Sequence, residues 1–370
     1  MKTDTLCGLS FEAIVMIDEE YAIAASNEFN GLFRVDMHDG GCCYLGMFPN
    51  EKSDGKRLFV SAAYYNGKVY FVPLSASGIA VYQVDSGDLY RIPIADPDKS
   101  LSSRYKKNAK FNGVAVYNDR LFMLCCTYPG ILMLDTVSEE IRYIDSWITE
   151  DLVYLFRKSP CIVNNYIYAP SVNSDVVLQF DMEKQTGKVF HVDPHHNTGC
   201  WGMCEDDGAF WLSPKMPGGI IRWIPYGETL FFNDYPESFC GGDFYFTKIF
   251  MSNDGVVMIP AHANMGIKIN PDTKAISGVK IPHCDDGAQT GYLFDWKGWV
   301  YLKIQTKEGE IFYVKLNMIS CEMTEYFFSF EKGKDAFRKD YYERILINGS
   351  VFCENSIFGL MDYIQELESK

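Results

Sequence analysis

Six histidines occur in this chain of 370 residues, and four of them, His195, His196, His262 and His283, stand in polar connecting stretches rather than in apolar runs. Imidazole titrates near neutral pH and serves as general acid or base in catalysis. It is also a common ligand for zinc and related metals, and Asp285 or Asp286 could complete a shell beside His283. No HxH or HExxH spacing builds a metal site locally, so metal and cofactor stay unspecified. The structural alternative is four loop histidines satisfied by water or main chain. Cys200 and Cys204 add a Cys-x3-Cys spacing close to His195 and His196. On a regular strand, residues four apart face the same way at about 13 Å, too far to share one ion. The expectation there is two core cysteines on one strand face.

A phrase of fixed grammar recurs along the chain and must position these groups. It is a turn of Asn, Asp or Gly type, an apolar burst, a gap and a second apolar burst. Its anchors are Asp18, Asn66, Asn118, Asn164, Asp206, Asn253, Lys297 and Asn348, spaced 42 to 52 residues apart. The second phrase is the clearest, with strands in RLFVSAAYYN, KVYFVPLS, GIAVYQVD and LYRIPI. Asn66-Gly67 joins the first two as a tight hairpin, because both residues tolerate positive φ. Third strands end at Asp36, Asp85, Asp135, Asp181 and Asn270, where the side chain can bond its own backbone two residues on. Strands two and three are apolar almost throughout, as in sheets covered on both faces.

A four-stranded β repeat of about this length predicts an all-β chain folded as a β-propeller. Seven blades over residues 11–330 are preferred to eight. The remaining residues, 331–370, read as a C-terminal extension. In it ERILINGSVFCEN has the pattern of a β-hairpin, and an amphipathic helix starts at Asn355 or Ser356. Over about residues 11–330 the repeats resemble the kelch, WD40 and YVTN-type propeller superfamily. The Gly-His and Trp-Asp signature of WD40 is absent, and paired glycines of kelch type occur only at Gly40-Gly41, Gly218-Gly219 and Gly241-Gly242. The resemblance therefore implies an architecture and carries over no catalytic residue.

Propellers bind ligands over the central channel, at the mouth lined by the loops after strands two and four. Besides the four histidines, those loops supply Asn27, Glu28, Tyr128, Arg157, Asn173, Lys215, Asp243, Asn264, Asp285 and Asp286, with Trp201 beside them. Aromatic faces with carboxylates and amides between them suit a small molecule, a glycan, or a peptide or protein segment. Two functions follow. One is a binding scaffold that uses one channel mouth; the other is a propeller enzyme, lyase or hydrolase, with His195, His196, His262 and His283 as acid, base or metal ligands.

The charge balance bounds the partners. A net charge of −15 repels phosphate backbones, which argues against nucleic acid. The one basic cluster, Arg104, Lys106, Lys107 and Lys110, reads as a solvated loop or an anion contact at the mouth. No run approaches the 18 apolar residues of a membrane span. Without a secretory h-region, the twelve cysteines are expected as free thiols in a reducing cytoplasm.

Overall fold

The computed structural model describes residues 9–95, 109–128, 130–148, 156, 158, 160–193, 199–215, 218–285, 287–326, 328–329 and 334–348. They form strands β1 to β28 and one helix, α1 (Lys334–Asn348). The strands make seven antiparallel sheets, each of four strands consecutive in sequence. Seven blades are therefore complete, and the eighth anchor, Asn348, ends α1. Residues 343–348, expected as the first strand of a further hairpin, are helical instead. Phe337, Tyr341 and Tyr342 bury a helical stripe there. The second arm of that hairpin and the helix expected from Asn355 or Ser356 lie outside the described residues.

The chain falls into two compact units, one with blades 1 and 2 and the C-terminal segment, the other with blades 3 to 7. The first strands of the blades are β1 (Phe11–Met16), β5 (Phe59–Tyr65), β9 (Phe111–Tyr117), β13 (Cys161–Val163), β17 (Cys200–Asp206), β21 (Phe246–Ser252) and β25 (Gln289–Trp296). Second strands, and most third strands, are largely covered on both faces: in β22 (Gly255–Pro260) every residue is buried, whereas the third strand of blade 1 exposes Arg34 and Asp36. Fourth strands are open; β16 (Thr186–His191) alternates between exposed and half-buried positions. The cores lie between blades. One apolar cluster joins blades 1 and 2. Four more join blades 3 and 4, 4 and 5, 5 and 6, and 6 and 7.

Turn chemistry explains why the phrase repeats. Asn66 and Gly67 both take positive φ, 48° and 75°, and Lys297 and Gly298 do the same. After the third strands, Asp36, Asp135, Asp181, Asn270 and Asn317 each accept the N–H groups of the residues two and three places on. In blade 2 the same place is held by Gln83, whose carbonyl accepts from Gly87 as that of Asp36 accepts from Gly40. Asp85, expected in that role, lies inside the turn.

Two regular departures shape the mouth end, where the loops after strands two and four emerge. In β1, β5, β9, β17 and β21 the register slips by one residue near the start, leaving Glu12, Val60, Asn112, Trp201 and Thr247 as bulges. The carbonyl at the corner of one blade also accepts the N–H at the entrance of the next. Asn27 receives Arg57, Cys125 receives Phe156, Ser171 receives Cys200, Lys215 receives Tyr245 and Ala261 receives Thr290, at 2.7–3.1 Å.

The C-terminal segment docks on blade 1. Ser329 bridges Gly41 in parallel, next to β4 (Cys42–Gly46). Phe337 stacks on Phe29 at 4.3 Å between ring centres, and the Tyr44 hydroxyl donates to Asp340 at 2.5 Å.

Candidate functional site

Blades 5 and 6 carry a ledge of rings at their mouth end. Trp201 is the bulge of β17, and a bulge bends its strand and re-aims the side chain. Its ring centre lies 5.1 Å from that of Phe244, which meets His262 edge to face at 5.2 Å. The Lys215 ammonium stands 5.6 Å from the Phe244 ring, within cation–π reach. All four side chains are half-buried, and Asp243 beside them is exposed.

Main chain fixes the ledge. Lys215 donates to Gly199 and accepts from Tyr245, both at 3.0 Å, and His262 donates to the Phe244 carbonyl at 2.9 Å. Gly242 makes that approach possible: it has φ of 61°, and a β-carbon there would lie 2.6 Å from the His262 carbonyl oxygen. Tyr235, Phe239 and Tyr245 pack against one another in the same connection, with ring centres 4.7 to 6.0 Å apart. Burial pushes the Tyr235 and Tyr245 phenols up, so they stay neutral donors at neutral pH. The ledge thus offers ring faces for stacking, one ammonium, one imidazole and a rim carboxylate.

The other residues expected at the mouth have varied places. Glu28 is held inside its own blade by the Ser10 amide and the Ser10 and Ser26 hydroxyls. Asn27 donates to Ser10, and its own amide oxygen is buried without a hydrogen-bond partner. Tyr128 is buried against Phe111. Asn173 is exposed and accepts from Ser171. Asn264 clamps the loop after blade 5, accepting from Cys240 and donating to the Ser238 carbonyl. Asp285 is exposed and lines a groove of about 600 Å³ with His283, Cys321 and Met323. His195, His196, Arg157 and Asp286 lie outside the described residues, as do Arg104, Lys106 and Lys107 of the basic cluster.

The structure gives His262 and His283 different neighbours. His283 meets Glu325 at 2.6 Å and stacks on Phe312 at 3.7 Å, on β28 (Met323–Tyr326) and β27 (Ile311–Asn317), the outer strands of blade 7. Among the described residues no group of three or more His, Cys, Asp or Glu side chains is placed to hold a metal ion. Cys200 and Cys204 do not share a strand face. The bulge at Trp201 reverses the alternation, so Cys200 packs toward blade 4 and Cys204 toward blade 6.

A second set of polar groups lies further along the first strands. Lys248 in β21 meets Asp295 in β25 at 2.6 Å, and its ammonium stands 4.5 Å from the ring centre of Tyr292. The ammonium of Lys158, in the connection before β13, stands 5.5 Å from that ring. Burial alone would lower the Lys248 ammonium, but Tyr292 and Asp295 outweigh it and hold it above its usual range. Burial pushes the neighbouring thiols up, Cys161 to about 11 and Cys204 further, so they remain uncharged. Lys248 and Asp295 are hard to single out in the sequence because each is the one charged residue inside the first strand of a different repeat.

No protein-family profile matches the chain, and no curated protein matches it. Solved structures do. A catalytically inactive variant of virginiamycin B lyase from Staphylococcus aureus, with quinupristin, is 14% identical, with 82% of this chain and 94% of that chain covered and a TM-score of 0.59. BamB from Moraxella catarrhalis is 15% identical, with 82% and 85% covered and a TM-score of 0.52. YCF48 bound to D1 peptide is 12% identical, with 83% and 93% covered and a TM-score of 0.53. At such identities the likeness shows the fold alone: the chain is a seven-bladed β-propeller.

Proposed function

We infer that this protein is a binding scaffold that seats a peptide or protein segment on the ledge of Trp201, Phe244 and His262, with Lys215 pairing an acidic group of the ligand. The observation that carries the reading is the unbroken run of ring contacts from Trp201 through Phe244 to His262 at the mouth end of blades 5 and 6. Half-buried aromatic side chains on a main-chain frame bind with little loss of side-chain freedom. The same fold holds a peptide in YCF48. The alternative is an enzyme, a lyase or hydrolase working through the mouth histidines. It draws less support, because His283 is engaged by Glu325 and Phe312 while His262 sits on Phe244.

A displayed library of random peptides, selected on the full chain, tests this. Selected peptides should lose about tenfold or more in affinity for Trp201→Ala and Phe244→Ala, the size of a hot-spot aromatic. Peptides that bind both variants as well as the native chain would overturn it.

A further inference from the structure

Lys158 and Tyr292 meet although their blades are not neighbours. Lys158 precedes the first strand of blade 4 and Tyr292 lies in the first strand of blade 7, while apolar clusters join blades 4, 5, 6 and 7 in order. The contact therefore spans the space that the first strands of these four blades enclose. Lys248 reaches the same ring from blade 6, so both ammonium nitrogens lie within 5.5 Å of one ring centre. Lys248 is held there by the Asp295 Oδ2, and the Tyr292 amide is anchored by the Thr247 hydroxyl at 3.3 Å.

We propose that Lys158, Lys248 and the Tyr292 hydroxyl form a binding site for a compact oxyanion of the phosphate class within the channel wall of blades 4 to 7. The ammonium group is a compact charge with three donors and binds phosphate as such. Charge-assisted bonds from two ammonium groups, with a phenol as a further donor, match an anion with several acceptor oxygens. The charged or titratable groups that interact with Lys248 include Tyr292, Asp295, Cys161 and Cys204, and the two thiols add no negative charge; Glu205 and Asp206 act on the thiols. Asp295 is the built-in competitor: its carboxylate already occupies one side of Lys248. The Asp295 Oδ1 is buried without a hydrogen-bond partner, so the carboxylate is not locked by a second contact of its own. The site shares no residue with the mouth ledge, and Trp201→Ala and Phe244→Ala should leave it unchanged.

The test uses inorganic phosphate and the full chain, with binding followed by calorimetry and by the thermal transition. Phosphate stabilises most proteins by exclusion, without saturation. The native chain should instead show a saturable rise. Lys158→Gln should weaken binding by about tenfold or more, as expected for loss of one charge-assisted contact. Asp295→Asn should tighten it, because the competing charge is gone while the side chain keeps its shape. No saturable binding in the native chain, or equal binding in the native chain and Lys158→Gln, would overturn the proposal. Lys158 lies in a connection outside the strands, so its variant reports on binding even if substitution of Lys248 disturbs folding.

Discussion

Gly242 and His262 meet main chain to main chain: a β-carbon on Gly242 would stand 2.6 Å from the His262 carbonyl oxygen and 2.9 Å from its β-carbon. Gly242→Ala must therefore move the segment that holds the imidazole, besides placing a side chain at φ of 61°. We expect a loss of about 1 to 3 kcal/mol in stability. A shifted His262 resonance in heteronuclear NMR should accompany it. A native melting curve and an unmoved resonance would show that the contact does not position the ring.

The Lys248–Asp295 pair makes stability depend on alkaline pH. Its folded ammonium titrates above the ordinary 10.5. The stabilisation is thus complete below about 10.5 and is lost as the pH rises through the higher folded value. Urea midpoints of the native chain should fall between pH 9 and strongly alkaline pH by more than those of Asp295→Asn. Asp295→Ala should cost about 1 to 3 kcal/mol at neutral pH, less than a fully buried pair, because Asp295 is 31% exposed.

Asp181 anchors the outer turn of blade 4 by accepting from Glu183, Lys184 and the Asn165 amide, at 2.9 to 3.0 Å. Burial alone would raise its carboxyl, but these donors hold it below the ordinary 3.8. Its contribution is present above that value and fades as the pH falls through the lower folded one. Asp181→Ala should cost about 1 to 3 kcal/mol in chemical denaturation, and Asp181→Asn, which keeps an acceptor, distinctly less.

Helix α1 should be a principal source of stability for blade 1. Phe337 is fully buried against Phe29 and Tyr44. Phe337→Ala should destabilise the unit of blades 1 and 2 by about 3 to 5 kcal/mol. Hydrogen exchange at Cys42 and Ser329, whose amides are bonded across the junction, should rise with it. Unchanged exchange there would mean that the helix docks without supporting the sheet.

The blades were legible in the sequence because each turn type demands particular residues. Asn66-Gly67 can hold a left-handed pair, and Asp135 or Asn317 can cap its own turn, so local chemistry reports local geometry. The side on which a residue lands was less legible. A one-residue bulge leaves the apolar pattern unbroken yet reverses the facing of everything before it, which is why Cys200 and Cys204 part company. The segment from Lys334 to Asn348 misled because Ile345, Leu346 and Ile347 before Asn348 read like a strand entering a turn. Its helical stripe, Phe337 with Tyr341 and Tyr342, has meaning only against the rings of blade 1. The ledge itself needs Gly242 to bring residues 244 and 262 together, and no spacing rule encodes that approach. Several polar mouth residues, Glu28 and Asn264 among them, hold their own loops together through hydrogen bonds, which residue type and position alone do not reveal.

The five carbonyl-to-amide links from a blade corner to the next blade entrance carry a consequence for redesign. The joints of the mouth are made of main chain, so they do not depend on which side chains the corners display. Lys215 and Ala261 hold equivalent joints with an ammonium on one and a methyl on the other. A new recognition surface could therefore be written onto these corners by exchanging side chains alone, with the spacing between blades kept by atoms that every residue but proline provides.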